Sequence, residues 1–431
     1  MKRVIFSLTL VLLCASLVWG QGSVPFGEYF EEKTLRIDFY HTGTKTEDII
    51  SLDAIYEEPI WAGSLTELID TTNLGKHLVR VFDLATNQLI YSRGFCSLFA
   101  EWQTTDEAAR GFRRTFHESV LIPYPRAPVQ VVIASRDREN LFREVFTMAI
   151  DPASYHIKRI QRQQGRKATA VEHNGPPSVK YDLLFLGDGY RAEDSEKFRS
   201  DVARYVEHLF SLSPYKERRQ DFNLWSVEVI SAESGISQPR QGVYRDTALG
   251  CSFNAFDLPR YVLTLDNRAM RDIASIAPYD GIIILVNSER YGGGGIFRLY
   301  AISTVDHADS PHVVVHELGH ALAGLGDEYY QSEVAYSEFY PPDVEPWEPN
   351  ITICQERKML KWRDLVDRLT PIPTPEKQEF VDAVGCFEGA GYAAKGLFRP
   401  AMRCIMFSKK STAFCPVCRR AIERIIDLYS R

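Results

Sequence analysis

His316-Glu317-Leu318-Gly319-His320, running on through Ala321-Leu322-Ala323-Gly324-Leu325-Gly326-Asp327, is the stretch on which the reading of this chain turns. Two histidines four apart lie on one face of a helix, close enough for both imidazoles to reach one metal ion. The glutamate after the first falls beside the open coordination position, where it can take a proton from water. With 10 His and 57 acidic residues in 431, chance supplies about 0.03 such patterns, so the motif is read as chemistry. The helix is legible too. Asp309-Ser310-Pro311 offers a capping side chain and a proline suited to the first turn. Val314, Leu318, Ala321, Leu322 and Leu325 make an apolar stripe on a different flank from the histidines, and Gly324 and Gly326 supply the stop. The expected chemistry is Zn2+ on His316 and His320, with Glu317 as general base in hydrolysis of a peptide bond.

The flanking sequence suits such a helix. Ile282-Ile283-Ile284-Leu285-Val286, within a strand expected over 280–287, is a continuous apolar run. So is Tyr181-Asp182-Leu183-Leu184-Phe185-Leu186, which ends in Gly187-Asp188-Gly189. Phe198, Val202, Tyr205, Val206 and Leu209 recur at helical spacing, and 222–230 reads as a further strand. Buried strands alternating with amphipathic helices predict an α/β catalytic domain. Asp188, between two glycines, reads as a strand-to-loop turn. Gly292-Gly293-Gly294-Gly295 reads as a mobile loop at the cleft rim, leading into a strand over 296–302 whose edge can receive an extended substrate.

Residues 35–40, 78–82 and 129–133 alternate apolar and polar positions between turn residues. That pattern predicts an N-terminal antiparallel β-sandwich domain, and no titratable cluster stands out in it. The polar stretch 151–177 reads as an interdomain linker. The expected division is a signal peptide over 1–20, the β-sandwich over 21–155, a linker over 156–177 and the catalytic domain over 178–431.

Lys2-Arg3, an apolar run over 4–19, and Val18 and Gly20 ahead of Gln21 have the form of a cleaved signal peptide. No later segment is long and apolar enough to span a bilayer. The expected mature protein is therefore exported, whether secreted, periplasmic or at the cell surface. A net charge of −7 with no basic stripe excludes nucleic acid as a partner. Beyond Cys14 seven cysteines remain, an odd number, five of them after position 350. Cys415-Pro416-Val417-Cys418 reads as a disulfide or a packing element, since a structural zinc would need Cys386 and Cys404 as well. Asn350-Ile351-Thr352 has the pattern of a glycosylation acceptor.

The run from His316 to Tyr329 resembles the immunoglobulin-A-peptidase family of bacterial metallopeptidases. Gly385-Cys386-Phe387-Glu388-Gly389-Ala390-Gly391-Tyr392, Gly396-Leu397-Phe398-Arg399-Pro400, Cys404-Ile405-Met406 and Phe414-Cys415-Pro416-Val417-Cys418 resemble it as well, as does the β-rich first half. The resemblance implies a metzincin-like catalytic domain, one zinc and endopeptidase activity, with Met406 as the methionine turn beneath the metal. In metzincins the helix breaks at a glycine and the last ligand follows three residues later. Gly324 stands one position later than in that pattern, and Asp327 three beyond it. Asp327 is the expected third ligand, with Glu328 its near rival and Glu338 a more distant one. Some metzincins carry a tyrosine two residues after the methionine. Ser408 stands there, leaving Tyr392, Tyr329 or another group for that role.

The expected function is thus a secreted zinc metalloendopeptidase acting on proteins or peptides, with immunoglobulin one possible substrate. Two other readings use the same residues: a surface-binding protein whose metal is structural, and a zinc amidase acting on cell-wall peptides. A closed coordination shell would mark the first, and the shape of the cleft would mark the second.

Overall fold

A computed structural model describes residues 24–159, 166–330, 340–341, 343–353 and 355–431. The expected signal peptide, Glu338 and Cys354 lie outside the described residues. No helix among those described is long and apolar enough to cross a membrane.

A short helix α1 (Phe26–Tyr29) leads into eight strands: β1 (Phe30–Gly43), β2 (Asp48–Glu58), β3 (His77–Asp83), β4 (Leu89–Phe95), β5 (Arg114–Pro125), β6 (Val129–Arg136), β7 (Phe142–Ile150) and β8 (Ile157–Lys158). Helices α2 (Leu98–Gln103) and α3 (Asp106–Ala109) lie between β4 and β5. The strands form two four-stranded sheets, ordered β5-β1-β2-β8 and β4-β3-β6-β7. Period-two alternation sends Leu35, Ile37 and Phe39 of one sheet and Val79, Val81, Val131 and Ile133 of the other into a shared apolar cluster.

The other face of β1 is covered around Arg36 and Asp38. Arg36 is 1% exposed and bonds Asp38, Glu58 at 2.9 Å and Asp272 of the second half at 2.6 Å. His41, equally buried but on the core side of β1 beside His77, sits between Glu118 at 2.8 Å and Asp48. These titratable clusters went unread in the sequence, because their members lie up to 236 positions apart and only strand pairing brings them together.

The second half contributes β9 (Ala168–Glu172), β10 (Tyr181–Asp188), β11 (Phe222–Val227), β12 (Cys251–Ser252), β13 (Leu263–Thr264), β14 (Gly281–Val286), β15 (Gly293–Ile296), β16 (Tyr300–Thr304), β17 (Phe387–Ala390) and β18 (Ala393–Arg399). Its helices are α4 (Ser195–Leu209), α5 (Asn267–Ala274), α6 (Ser310–Ala323) and α7 (Pro416–Tyr429). Six strands build one sheet in the order β15-β16-β14-β10-β11-β9. The central four are parallel, and both edges, β15 and β9, are antiparallel to their neighbours. The apolar run of β10 is continuous because both faces are covered. Leu183 and Phe185 join the cluster of α4, α6 and α7, while Leu184 and Leu186 join that of α5 and α2.

Two expectations change here. Ala168–Glu172, read as linker, is a strand of this sheet, paired antiparallel with β11. Gly293-Gly294-Gly295, read as part of a mobile loop, form the edge strand together with Ile296. A Cβ on Gly293 would lie 2.5 Å from Val313, and one on Gly295 would lie 2.4 Å from the Glu317 carbonyl oxygen. These glycines serve close approach to α6 rather than mobility. The outer edge of β15 is also partly taken, since Gly293 bonds Arg260 and Val262 through its backbone. Asp188 proves more than a turn. Fully buried, it accepts hydrogen bonds from the Leu249 and Cys251 amides and from Ser231 and Thr247.

Helix α6 is held by Val314, Val315, Leu318 and Leu322, each at most 1% exposed. Each contributes about 1.5–3 kcal/mol of burial. Gly324 ends it in the left-handed conformation at φ 61°. The start differs from expectation, because Asp309 makes no side-chain cap and instead pairs with Lys409 at 3.0 Å.

Candidate metal centre

The i, i+4 spacing on α6 turns His316 and His320 to the same side, and their Nε2 atoms lie 3.1 Å apart. The chain after Gly324 brings Asp327 back against them, with Oδ1 at 3.0 Å from His316 Nε2 and 3.3 Å from His320 Nε2. Each imidazole is oriented from behind: His316 Nδ1 lies 3.1 Å from the Ile405 carbonyl oxygen, and His320 Nδ1 lies 2.5 Å from that of Leu325. With Nδ1–H donating to those carbonyls, both Nε2 lone pairs point at one spot. Asp327 Oδ1, which has no hydrogen-bond partner among the described residues, points there too.

Three converging lone pairs repel one another unless a proton or a metal ion lies between them. A tetrahedral zinc about 2.1 Å from each ligand would set the ligand atoms about 3.4 Å apart, close to what is observed. Electrostatics agree. Burial opposes a charge on His320, yet Asp327 draws its pKa up to about 9. Burial likewise opposes the Asp327 carboxylate, and His320 and His316 more than offset it, holding its pKa well below the ordinary range. The pocket is built for positive charge, so the donor set fits a zinc ion.

Glu317 faces the same cleft, and its carboxylate comes within 4.8 Å of the histidine ligand atoms. Desolvation by the cleft walls raises its pKa, while His316 and His320 pull it back. Glu317 also lies near both imidazoles, but Asp327 Oδ1, at contact distance from each, is the better placed of the two to share an ion with them. The cleft encloses about 450 Å³ and is also lined by Arg260, Tyr291, His312, Tyr329 and Lys409. Burial pushes the His312 pKa down to about 4, with repulsion from His316 and Lys409 adding to the effect. His312 could have been noticed one helical turn before His316. Arg260 and Trp347 carried no such signal, since only the fold brings them to the cleft.

The family described as IgA Peptidase M64 matches residues 169–383 and 376–426, and the one described as Peptidase M64 N-terminus matches 25–147. The chain belongs to the IgA peptidase M64 family. No curated protein matches it. Membership makes the chain a peptidase, a hydrolase with protein substrates, from a family of metallopeptidases.

In this family member the parts around the triad hold it in place. Met406 is fully buried under the middle of α6, and its Sδ would lie 2.9 Å from a Cβ added to Gly319. The Met406 carbonyl accepts a hydrogen bond from the Glu328 amide at 2.9 Å. Tyr392 donates to Asp327 Oδ2 and so braces the carboxylate. Ser408 lines the cleft. Glu328, the rival ligand, turns the other way, into the protein, where its Oε1 lies 3.0 Å from Asn350 Nδ2 and 3.1 Å from Cys418 Sγ. Asn350 is no glycosylation acceptor in the folded chain. It is fully buried and clamps the loop, accepting from the Gly326 amide at 2.7 Å and donating to the Gly326 carbonyl at 2.8 Å. The six described cysteines carry no disulfide, and Cys404 and Cys418 stand 3.7 Å apart, well beyond a bond of about 2.05 Å.

Proposed function

We propose that this chain is an exported zinc metalloendopeptidase in which His316, His320 and Asp327 hold the metal and Glu317 is the general base. The observation that carries it is the convergence of two Nε2 atoms and one orphaned carboxylate oxygen at a cleft that also presents Glu317. Zinc bound there would polarise the scissile carbonyl and make a water acidic enough to attack near neutral pH. Glu317 takes the proton from the attacking water and delivers it to the leaving amine. Its raised pKa suits both halves of that task. Asp327, braced by Tyr392, keeps the two imidazoles in register, and the Ile405 and Leu325 carbonyls fix their tautomers. Tyr329 and Arg260 line the cleft where charge develops on the carbonyl oxygen.

The architecture is proposed in the same terms. The parallel sheet with an antiparallel edge strand against the metal helix, and Met406 beneath it, support a metzincin-like catalytic domain. The two sheets sharing one core support an N-terminal β-sandwich. The division at 20 is retained, while β8 pairs into the N-terminal sheet and β9 into the catalytic sheet, so the domain boundary is placed between Lys158 and Ala168. Export rests on the residues around Gly20 and Gln21 and predicts a mature chain beginning at Gln21.

A protein-derived peptide library tests the activity. Cleavage is expected between residues, abolished by a chelator and restored by zinc. Absence of metal-dependent cleavage from a zinc-loaded, folded chain would refute the proposal. Immunoglobulin A is the first whole protein to try, on the strength of the family's description alone.

A further inference from the structure

Asp327 and Glu328 are neighbours with opposite outlooks. Asp327 faces the cleft, and Glu328 points into the buried interior behind it, where it meets three thiols. Glu328, Cys404, Cys415 and Cys418 are all buried, and one ligand atom of each lies within 4.8 Å of every other. The Cys404 and Cys418 sulfurs are 3.7 Å apart, and Cys418 Sγ lies 3.1 Å from Glu328 Oε1. Glu328 Oε2 has no hydrogen-bond partner among the described residues. Two sulfurs on one tetrahedral zinc, each at about 2.3 Å, stand about 3.8 Å apart, so the thiol pair has metal spacing rather than disulfide spacing.

The local sequence suits ligation. Cys415 and Cys418 are a C-x-x-C pair at the start of α7, with Cys415 as the N-cap, where backbone amides favour a thiolate. One disulfide among three thiols would leave the third beside a buried carboxylate, whereas one ion uses all four groups. Cys386 lies outside the cluster, and Glu328 takes the fourth place.

We propose that Glu328, Cys404, Cys415 and Cys418 form a second, structural zinc site of Cys3Glu type. It ties together the loop after α6, the turn carrying Met406 and the first turn of α7. Asp327 and Met406 stand one and two residues from its ligands, so this ion would fix the third ligand and the floor of the cleft from behind. The shell is closed, with four protein ligands and no opening to solvent, as structural sites are.

Metal counting on the full chain by native mass spectrometry tests the site. About two zinc ions per chain are expected, falling to about one in His316→Ala and in Cys418→Ser. Cobalt substitution gives a readout independent of activity. A thiolate-to-cobalt charge-transfer band should persist in His316→Ala and vanish in Cys418→Ser. Should Cys418→Ser fail to fold, alkylation of the wild type decides: the three thiols should resist reagent until chelator is added under denaturing conditions. One zinc per chain, with either a disulfide among Cys404, Cys415 and Cys418 or reactive thiols there, would overturn the proposal. Absence of peptidase activity would not, because the count in His316→Ala stands apart from the cleft.

Discussion

Replacing Gly295 with alanine puts a methyl group where β15 and α6 already touch. The new Cβ would lie 2.4 Å from the Glu317 carbonyl oxygen and 3.0 Å from His320 Cβ. The first contact is about 1 Å short of ordinary van der Waals separation, and its partner is helix backbone, which cannot rotate aside. The strand and helix must therefore part by most of an ångström, at about 1–3 kcal/mol of overpacking. For a domain of this size that lowers the melting temperature by about 5 °C. The functional cost should be larger. The displaced residues are the proposed base and a proposed metal ligand, and a shift of about 1 Å at reacting groups costs about 100-fold in rate. The assay pairs thermal unfolding with steady-state peptide cleavage. Gly27→Ala, at a position with nothing within 4 Å of the added Cβ, is the control expected to be neutral. A Gly295→Ala protein with wild-type melting and turnover would refute the contact between edge strand and helix.

Two further tests probe other parts of the molecule. Tyr392→Phe removes the brace on Asp327 and should weaken zinc affinity about 10–100-fold, and unchanged affinity would refute the brace; Asp327→Ala should lose the cleft metal, and unchanged affinity there would reassign the third ligand. In the first half, burial disfavours protonated His41, but Glu118 and Asp48 outweigh it and raise its pKa from 6.5 to about 9. Protonated His41 therefore stabilises the fold fully below about pH 6.5, and the contribution is lost as pH rises through 9. The shift corresponds to about 3 kcal/mol. His41→Gln should melt well below the wild type at pH 6 and converge with it near pH 10, and a constant gap would contradict the assignment.

What was legible in the sequence and what was not divides along chain distance. The metal helix, its glycine stop and the buried strand runs were readable because each follows from local period and capping chemistry. Asp327 was singled out through the metzincin resemblance, three residues beyond Gly324, ahead of Glu328 and Glu338. The rest needed the fold. The Gly293–Gly295 stretch looks mobile in isolation and is a strand only because α6 lies against it. Asn350 matched a local pattern for glycosylation, yet the loop after α6 buries it. The capping role of Asp309 failed because Lys409, 100 positions away, claims its carboxylate. Glu328 and the three cysteines span 90 positions, and no spacing rule joins a carboxylate to a distant C-x-x-C pair.

The claim at the centre of this account is that Glu317 moves the proton while others hold the metal. Glu317→Gln keeps the size and polarity of the side chain and removes only its basicity. The decisive measurement is zinc content and peptide cleavage on the same preparation of that variant. Wild-type zinc stoichiometry and unchanged folding are expected, with turnover reduced by at least about 100-fold. Cleavage at the wild-type rate, with zinc bound, would contradict that role for Glu317.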